Sequence, residues 1–284
     1  LRGYLASLRR DARASATRVA HDRAALTTIV LILLPWLSLF VLRSTIEWVW
    51  QLAGIAVLVF SFWWMSRSAS AAPPEISKPR VEFLFGAALV LLWMLWRVGI
   101  CGKAFFFLPP NFECFRSLEF ELIPKLIEQV IFPAGVLFLA GYGLRAQGLG
   151  VSLRAWWIAA PALLAFAAYG AYIHLGDPAQ FIQRIGEYFL AAGLPEEVLF
   201  RAVILTRLEA WWRNPASALF ASSVLFGLSH LPINYLFFTR GDWRETWITL
   251  LTFQMGFGVA FGFAYQRCRN VFPVALAHAM LDAL

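Results

Sequence analysis

Charge is what this chain has least of. Asp, Glu, Lys and Arg make up 14% of its 284 residues and hydrophobic residues 60%, whereas soluble domains carry about 25% charged residues. That shortage excludes a soluble globular protein. Cysteine is nearly absent: only Cys101, Cys114 and Cys268 occur, with no C-x-x-C spacing. Cys268 reads as an ordinary thiol, while Cys101 and Cys114 share one loop and would pair if it lay outside the cytoplasm. Histidine occurs four times. There is no His-Glu-x-x-His run, so the common zinc-protease helix is missing, and there is no Gly-x-Ser-x-Gly. Residues 1–23 are too polar for a signal peptide. The chain starts at Leu1, as expected of a trimmed amino terminus.

What the chain has instead is apolar runs approaching or exceeding the roughly 18 residues that cross a bilayer as a helix. They predict an all-α fold, a polytopic membrane bundle of eight spans plus a short carboxy-terminal helical segment. The expected spans are 25–42, 48–65, 83–100, 130–144, 155–173, 188–208, 215–233 and 247–265. A last apolar piece, 271–284, packs inside the bundle or enters it partway. Ahead of the spans, Arg2, Arg9, Arg10, Arg13, Arg18 and Arg23 lie among Leu1, Leu5, Leu8 and Val19. This reads either as a basic amphipathic helix on the membrane surface or as a basic tail. Residues 66–80, with Ser-Ala-Ser-Ala-Ala-Pro-Pro composition, form a linker, and 101–125 an interfacial loop. With the amino terminus inside, connecting segments place fifteen Lys and Arg in the cytoplasm and seven outside, the bias expected of an inner-membrane protein. The pI of about 9.7 therefore reflects membrane orientation and does not call for nucleic acid.

Ionisable groups inside such spans are expensive and usually line a cavity. Three clusters qualify. Glu196-Glu197 with Arg201 falls in the sixth span, and Glu197 and Arg201, four apart, share a helix face in the favoured acid-before-base order. That pairing leaves Glu196 over, and a buried carboxylate without a cation is protonated or employed. Pro195 just before it removes a backbone donor, so the Glu pair is expected to open a fresh helical start. The second cluster is Phe226-Gly227-Leu228-Ser229-His230; Ser229 and His230, adjacent on a helix, point about 100° apart and make no serine-protease pair. The third is His278 with Asp282, four apart on one face. Each alone reads as easily as a hydrogen-bonded core residue or an ion pair. Two His with Glu196 and Asp282 supply either a general base with a water or ligands for a divalent metal such as zinc.

Taken together, Glu-Glu-x-x-x-Arg, then Phe-x-x-x-His, then His-x-x-x-Asp resemble the three-motif signature of the CAAX protease and bacteriocin-processing family. These are intramembrane proteases that include the type II CAAX prenyl endopeptidases. The resemblance covers residues 188–284 by motif. It divides the chain into a basic segment (1–24), accessory helices (25–120) and a catalytic core (121–284). It implies an endopeptidase acting on a membrane-associated protein or peptide. Glu196 and His230 would activate a water, with His278 and Asp282 orienting it or stabilising the oxyanion. Glu197 and Arg201 would be a supporting pair, with Phe226 packed behind the histidine. The family's last motif often ends in Asn; Asp282 adds a negative charge and lacks the amide donor. Two other readings fit intramembrane Glu, His and Arg: a proton-coupled transporter, weakened by the lack of an inverted repeat, and a non-catalytic scaffold or immunity protein.

Overall fold

A computed structural model describes residues 47–66, 74–101, 118–150 and 152–284. The amino-terminal basic segment, the first expected span, residues 67–73 of the linker and the pairing of Cys101 with Cys114 lie outside the described residues. Every regular element described is helical. Helix α1 is Glu47–Ser66 and α2 is Pro79–Cys101. Helix α3 covers 118–139 and α4 Leu153–Ile173. Helix α5 covers 178–212, α6 Pro215–Phe238, α7 Trp243–Cys268 and α8 Val271–Ala283. These are the second to eighth expected spans and the short final piece, and five of them are long and apolar enough to cross a membrane. Their outer faces are greasy: Leu84, Leu91 and Leu95 of α2, Ile127 and Ile131 of α3 and Trp157 and Leu164 of α4 are exposed. An apolar exterior around a polar interior is an integral membrane protein's solution to its solvent.

Local chemistry sets the helix ends. Asn214 accepts from the Ala216 and Ser217 amides, and Pro215 takes the first-turn position of α6, where its missing N–H is harmless. Asp177, Asp242 and Asn270 cap α5, α7 and α8 in the same way. The α5–α6 and α7–α8 turns share one construction, an arginine at positive φ (Arg213, 52°; Arg269, 51°) followed by the asparagine cap.

Two expectations change. The fourth span starts earlier and ends earlier than 130–144: the helix is already formed at Leu118 and stops at Leu139, before a turn at 140–148. The last eight residues of the expected 101–125 loop are therefore helical. Nor does Pro195 open a new helix. Gly193, Leu194 and Val198 are all right-handed helical, and α5 runs through the proline between widened π-type turns at Phe189–Gly193 and Val198–Leu205. A π-type turn next to the ring relieves its crowding of the preceding turn, which an ordinary α-helix resolves by kinking. Glu196 is thus mid-helix, and no helix-start dipole holds it.

Helix α5 is the hub. Its opening turns are amphipathic, with Gln180, Gln183 and Arg184 exposed, but Val198 to Leu208 is buried. Segment 198–205 touches α2, α3, α6, α7 and α8. Helix α8, short as it is, lies inside against α4 and α5 with Val274, Ala275, Ala277 and Ala279 fully covered. The close approach is possible because position 193 has no side chain: a Cβ there would lie 2.4 Å from the Ala275 carbonyl oxygen. Small residues at helix contacts serve this purpose where no hydrophobic effect drives helices together. Lower in α5, fully buried Arg207 donates to Glu82 of α2 at 3.1 Å, and Tyr142 donates to the other oxygen of that carboxylate at 2.7 Å. This charged pin ties α2 to the hub.

Candidate active site

Glu196 projects from the turn after Pro195 and is 4% exposed. Its Oε2 faces His230 Nε2 of α6 at 3.7 Å, which is too long for a hydrogen bond and wide enough for a bridging water. The histidine's tautomer is set from behind. Nδ1 lies 2.8 Å from the Phe226 carbonyl, which can only accept, so Nδ1 carries the proton and donates. The neutral ring then turns a free Nε2 lone pair toward the carboxylate. Ser229 does not compete for the site; its hydroxyl donates to the same Phe226 carbonyl at 2.7 Å. Two acceptors face each other across 3.7 Å, an arrangement that takes a molecule with two donors.

Glu197, one residue on, points elsewhere and is fully buried. Arg201 stands beside it as expected, with Nε 3.0 Å from Oε2 and Nη2 donating to Oε1 at 3.4 Å. The short contact is out of line for a hydrogen bond, so the pair is held more by charge than by geometry. The better bond comes from α8: His278 Nδ1 donates to Glu197 Oε1 at 3.0 Å. On its other side, His278 Nε2 is 3.4 Å from Asp282 Oδ2. Phe226 fills the angle between the histidines, its ring 4.8 Å from that of His230 and 6.3 Å from that of His278, with the Arg201 guanidinium 4.7 Å above its face. Phe261 stacks on His278 at 4.4 Å.

Glu196, His230, His278, Asp282 and Phe226 line one cavity of about 290 Å³. Three helices thus bring the three sequence clusters to one place, while Glu197 and Arg201 lie behind its wall. Most of the remaining lining is aromatic, from Trp93, Tyr188, Phe253 and Phe257 among others. Two polar lining residues had not been singled out from sequence, Lys125 and Gln254. Lys125 of α3 donates to Glu196 Oε1 at 3.0 Å and to the Ala191 carbonyl at 2.9 Å. The available signal was a lysine abutting an apolar run, hidden by Pro124 and the neighbouring carboxylates, which made the stretch read as a loop. Gln254 had the signal of an amide inside an apolar span.

Residues 178–284 match the family model described as type II CAAX prenyl endopeptidase Rce1-like. Over this segment the chain is similar to that family. No curated protein and no solved structure matches the chain. The matched segment begins with α5 and contains Glu196, Glu197, Arg201, Phe226, His230, His278 and Asp282; Lys125 and Trp93 lie outside it.

The donor set does not fit a divalent metal as it is arranged. Among the described residues no three His, Cys, Asp or Glu side chains cluster at metal-holding spacing. The free lone pairs are those of Glu196 Oε2 and His230 Nε2, while Glu196 Oε1 is taken by an ammonium and both nitrogens of His278 face carboxylates, which falls short of the three protein ligands of a catalytic zinc.

Proposed function

We propose that this chain is an intramembrane endopeptidase that hydrolyses a peptide bond of a membrane-associated protein or peptide. The observation that carries the reading is the pair of acceptors, Glu196 Oε2 and His230 Nε2, set 3.7 Å apart on the wall of an aromatic cavity. A water between them gives one O–H to each, which leaves its lone pairs directed into the cavity. As it attacks the scissile carbonyl, one acceptor takes the proton and later delivers it to the leaving amine, the ordinary course of general acid–base hydrolysis. His278 carries a proton on Nδ1 for Glu197, and its Nε2 is held only loosely by Asp282 at 3.4 Å. One proton shared between Nε2 and Asp282 holds the ring between turnovers; carried on Nε2, that N–H turns to the oxyanion as it forms and returns to Asp282 when the tetrahedral intermediate collapses. Glu197 and Arg201 hold the back of the site.

Aromatic lining suits a substrate that arrives with apolar residues or a lipid group, from the bilayer in which the chain sits. The substrate class is a lipid-modified or membrane-anchored protein, a leader peptide or a sorting segment, and the match of residues 178–284 to the prenyl endopeptidase family supports it. The loop charges fit an amino terminus in the cytoplasm of a bacterium, with the bundle in the inner membrane. The test compares the membrane proteomes of cells with and without the chain, reading protein termini. A protein whose end shortens only when the chain is present supports the proposal. Identical termini at full expression overturn it.

A further inference from the structure

Lys125 is the unabsorbed charge of the site. Its side chain is buried, it comes from α3, outside the matched segment, and its ammonium has two acceptors on α5. One acceptor, the Ala191 carbonyl, lies one turn before a proline. Pro195 has no N–H to return to the carbonyl four residues back, which is that of Ala191. The other is Glu196 Oε1. The indole of Trp93 closes the third side, with Nζ 5.7 Å from its centroid. Ala191, Pro195 and Glu196 thus form a seat for one compact cation, and the neighbouring helix supplies it.

We propose that Lys125 is a positioning residue of the hydrolytic site. It fixes Oε1 of Glu196 and so leaves Oε2 as the one carboxylate oxygen presented to His230 and a water. Without it, Glu196 would be a buried carboxylate with no fixed cation at its side, free to rotate and to exchange its two oxygens. The remaining charges of the site are matched without it: Arg201 faces Glu197, and His278 lies between Glu197 and Asp282. Lysine suits the seat better than arginine because the acceptors converge on a point, whereas a guanidinium presents its donors in a flat fork. The proposal rests on the protease reading, and its test separates the two.

Lys125→Met and Lys125→Arg are compared with wild type in lipid nanodiscs, on any substrate that wild type cleaves. Displacing a catalytic oxygen without touching substrate contacts predicts a roughly 100-fold fall in kcat for Lys125→Met with KM little changed. Lys125→Arg keeps the charge and is expected to recover to within about tenfold of wild type. A Lys125→Met enzyme with unchanged kcat, or one that fails only through KM, overturns the proposal and leaves the protease reading standing. A thermal cycle runs beside it. If Lys125 acts through Glu196, the Tm lost by Lys125→Met together with Glu196→Gln is smaller than the sum of the single losses. Strictly additive losses overturn the coupling. If wild type cleaves nothing, the protease reading fails and the thermal cycle alone decides whether Lys125 is seated on Glu196.

Discussion

His278 donates from Nδ1 to Glu197 at 3.0 Å, joining the last helix of the chain to the middle of α5 across 81 residues of sequence. Glu197 therefore has two partners. Arg201 reaches it from the next turn, and His278 reaches it from across the bundle. The carboxylate beside it, Glu196, is left to face Lys125 and His230.

This arrangement predicts a large stability loss when Glu197 is removed. Glu197→Ala leaves a fully buried guanidinium and an imidazole without their acceptor. Breaking one side of a buried pair costs about 3–5 kcal/mol. The measurement is the thermal midpoint in nanodiscs or detergent. A midpoint equal to wild type contradicts the assignment.

His230→Gln removes one of the two acceptors that hold the water while keeping a polar side chain of similar reach. Cleavage is expected to fall by about 10²–10⁴-fold, the usual share of a general base. The fold should survive, because the only hydrogen bonds described for the ring are local, to Phe226 and Ser229. Activity against a known substrate and the thermal midpoint, measured on the same preparation, check both halves.

Gly193→Ala tests the packing of α8. Its added methyl would meet the Ala275 carbonyl at 2.4 Å, a backbone atom that cannot rotate away. The helices must part, and overpacking of this kind costs about 1–3 kcal/mol. Because His278 sits one turn further along α8, the same change should lower activity beyond what the loss of folded protein explains. A variant with wild-type stability and turnover would show that α5 and α8 do not approach this closely.

The Arg207–Glu82 pair is expected to matter for assembly and not for chemistry. Arg207→Met leaves Glu82 with Tyr142 as its described partner and should destabilise the protein by a few kcal/mol. The fraction that folds should turn over substrate normally, since neither residue lines the cavity. A reduced kcat in correctly folded protein would speak against this division.

Chelation is a further check. Among the described residues the cavity offers two free acceptors, Glu196 Oε2 and His230 Nε2, and no cluster of three ligands. Turnover should be unchanged after exhaustive treatment with a chelator, with bound metal measured in parallel. Loss of activity restored by a stoichiometric divalent ion would contradict it.

Much of this was legible in sequence, for identifiable reasons. Pro215 at a first-turn position and the long apolar run after it announced α6. The four-residue spacing of Glu197 and Arg201 announced their pairing, because i and i+4 share a helix face whatever the fold. The order of the three ionisable clusters pointed to a common cavity before any distance was known. What was not legible depended on neighbours distant in sequence. Lys125 is separated from Glu196 by 71 residues, and nothing local to either reveals the bond. The second partner of Glu197 was hidden in the same way. Pro195 misled for a different reason. Its local rule predicts a break, but the neighbouring π-type turns absorb the ring and α5 continues. The early start of α3 was obscured by Pro124 and by Glu119, Glu121 and Lys125, a polar composition that reads as a loop until the cavity that receives the lysine is known.

The central claim is that Glu196 presents one oxygen to His230 and a water. The most direct measurement is cleavage by Glu196→Gln beside wild type, in matched membranes with matched amounts of folded protein, reading the termini of the membrane proteome. Glutamine keeps the shape and removes the base. The account predicts that every terminus generated by wild type is absent with the variant while the thermal midpoint stays measurable and cooperative. The same termini produced at the wild-type rate by Glu196→Gln would contradict it.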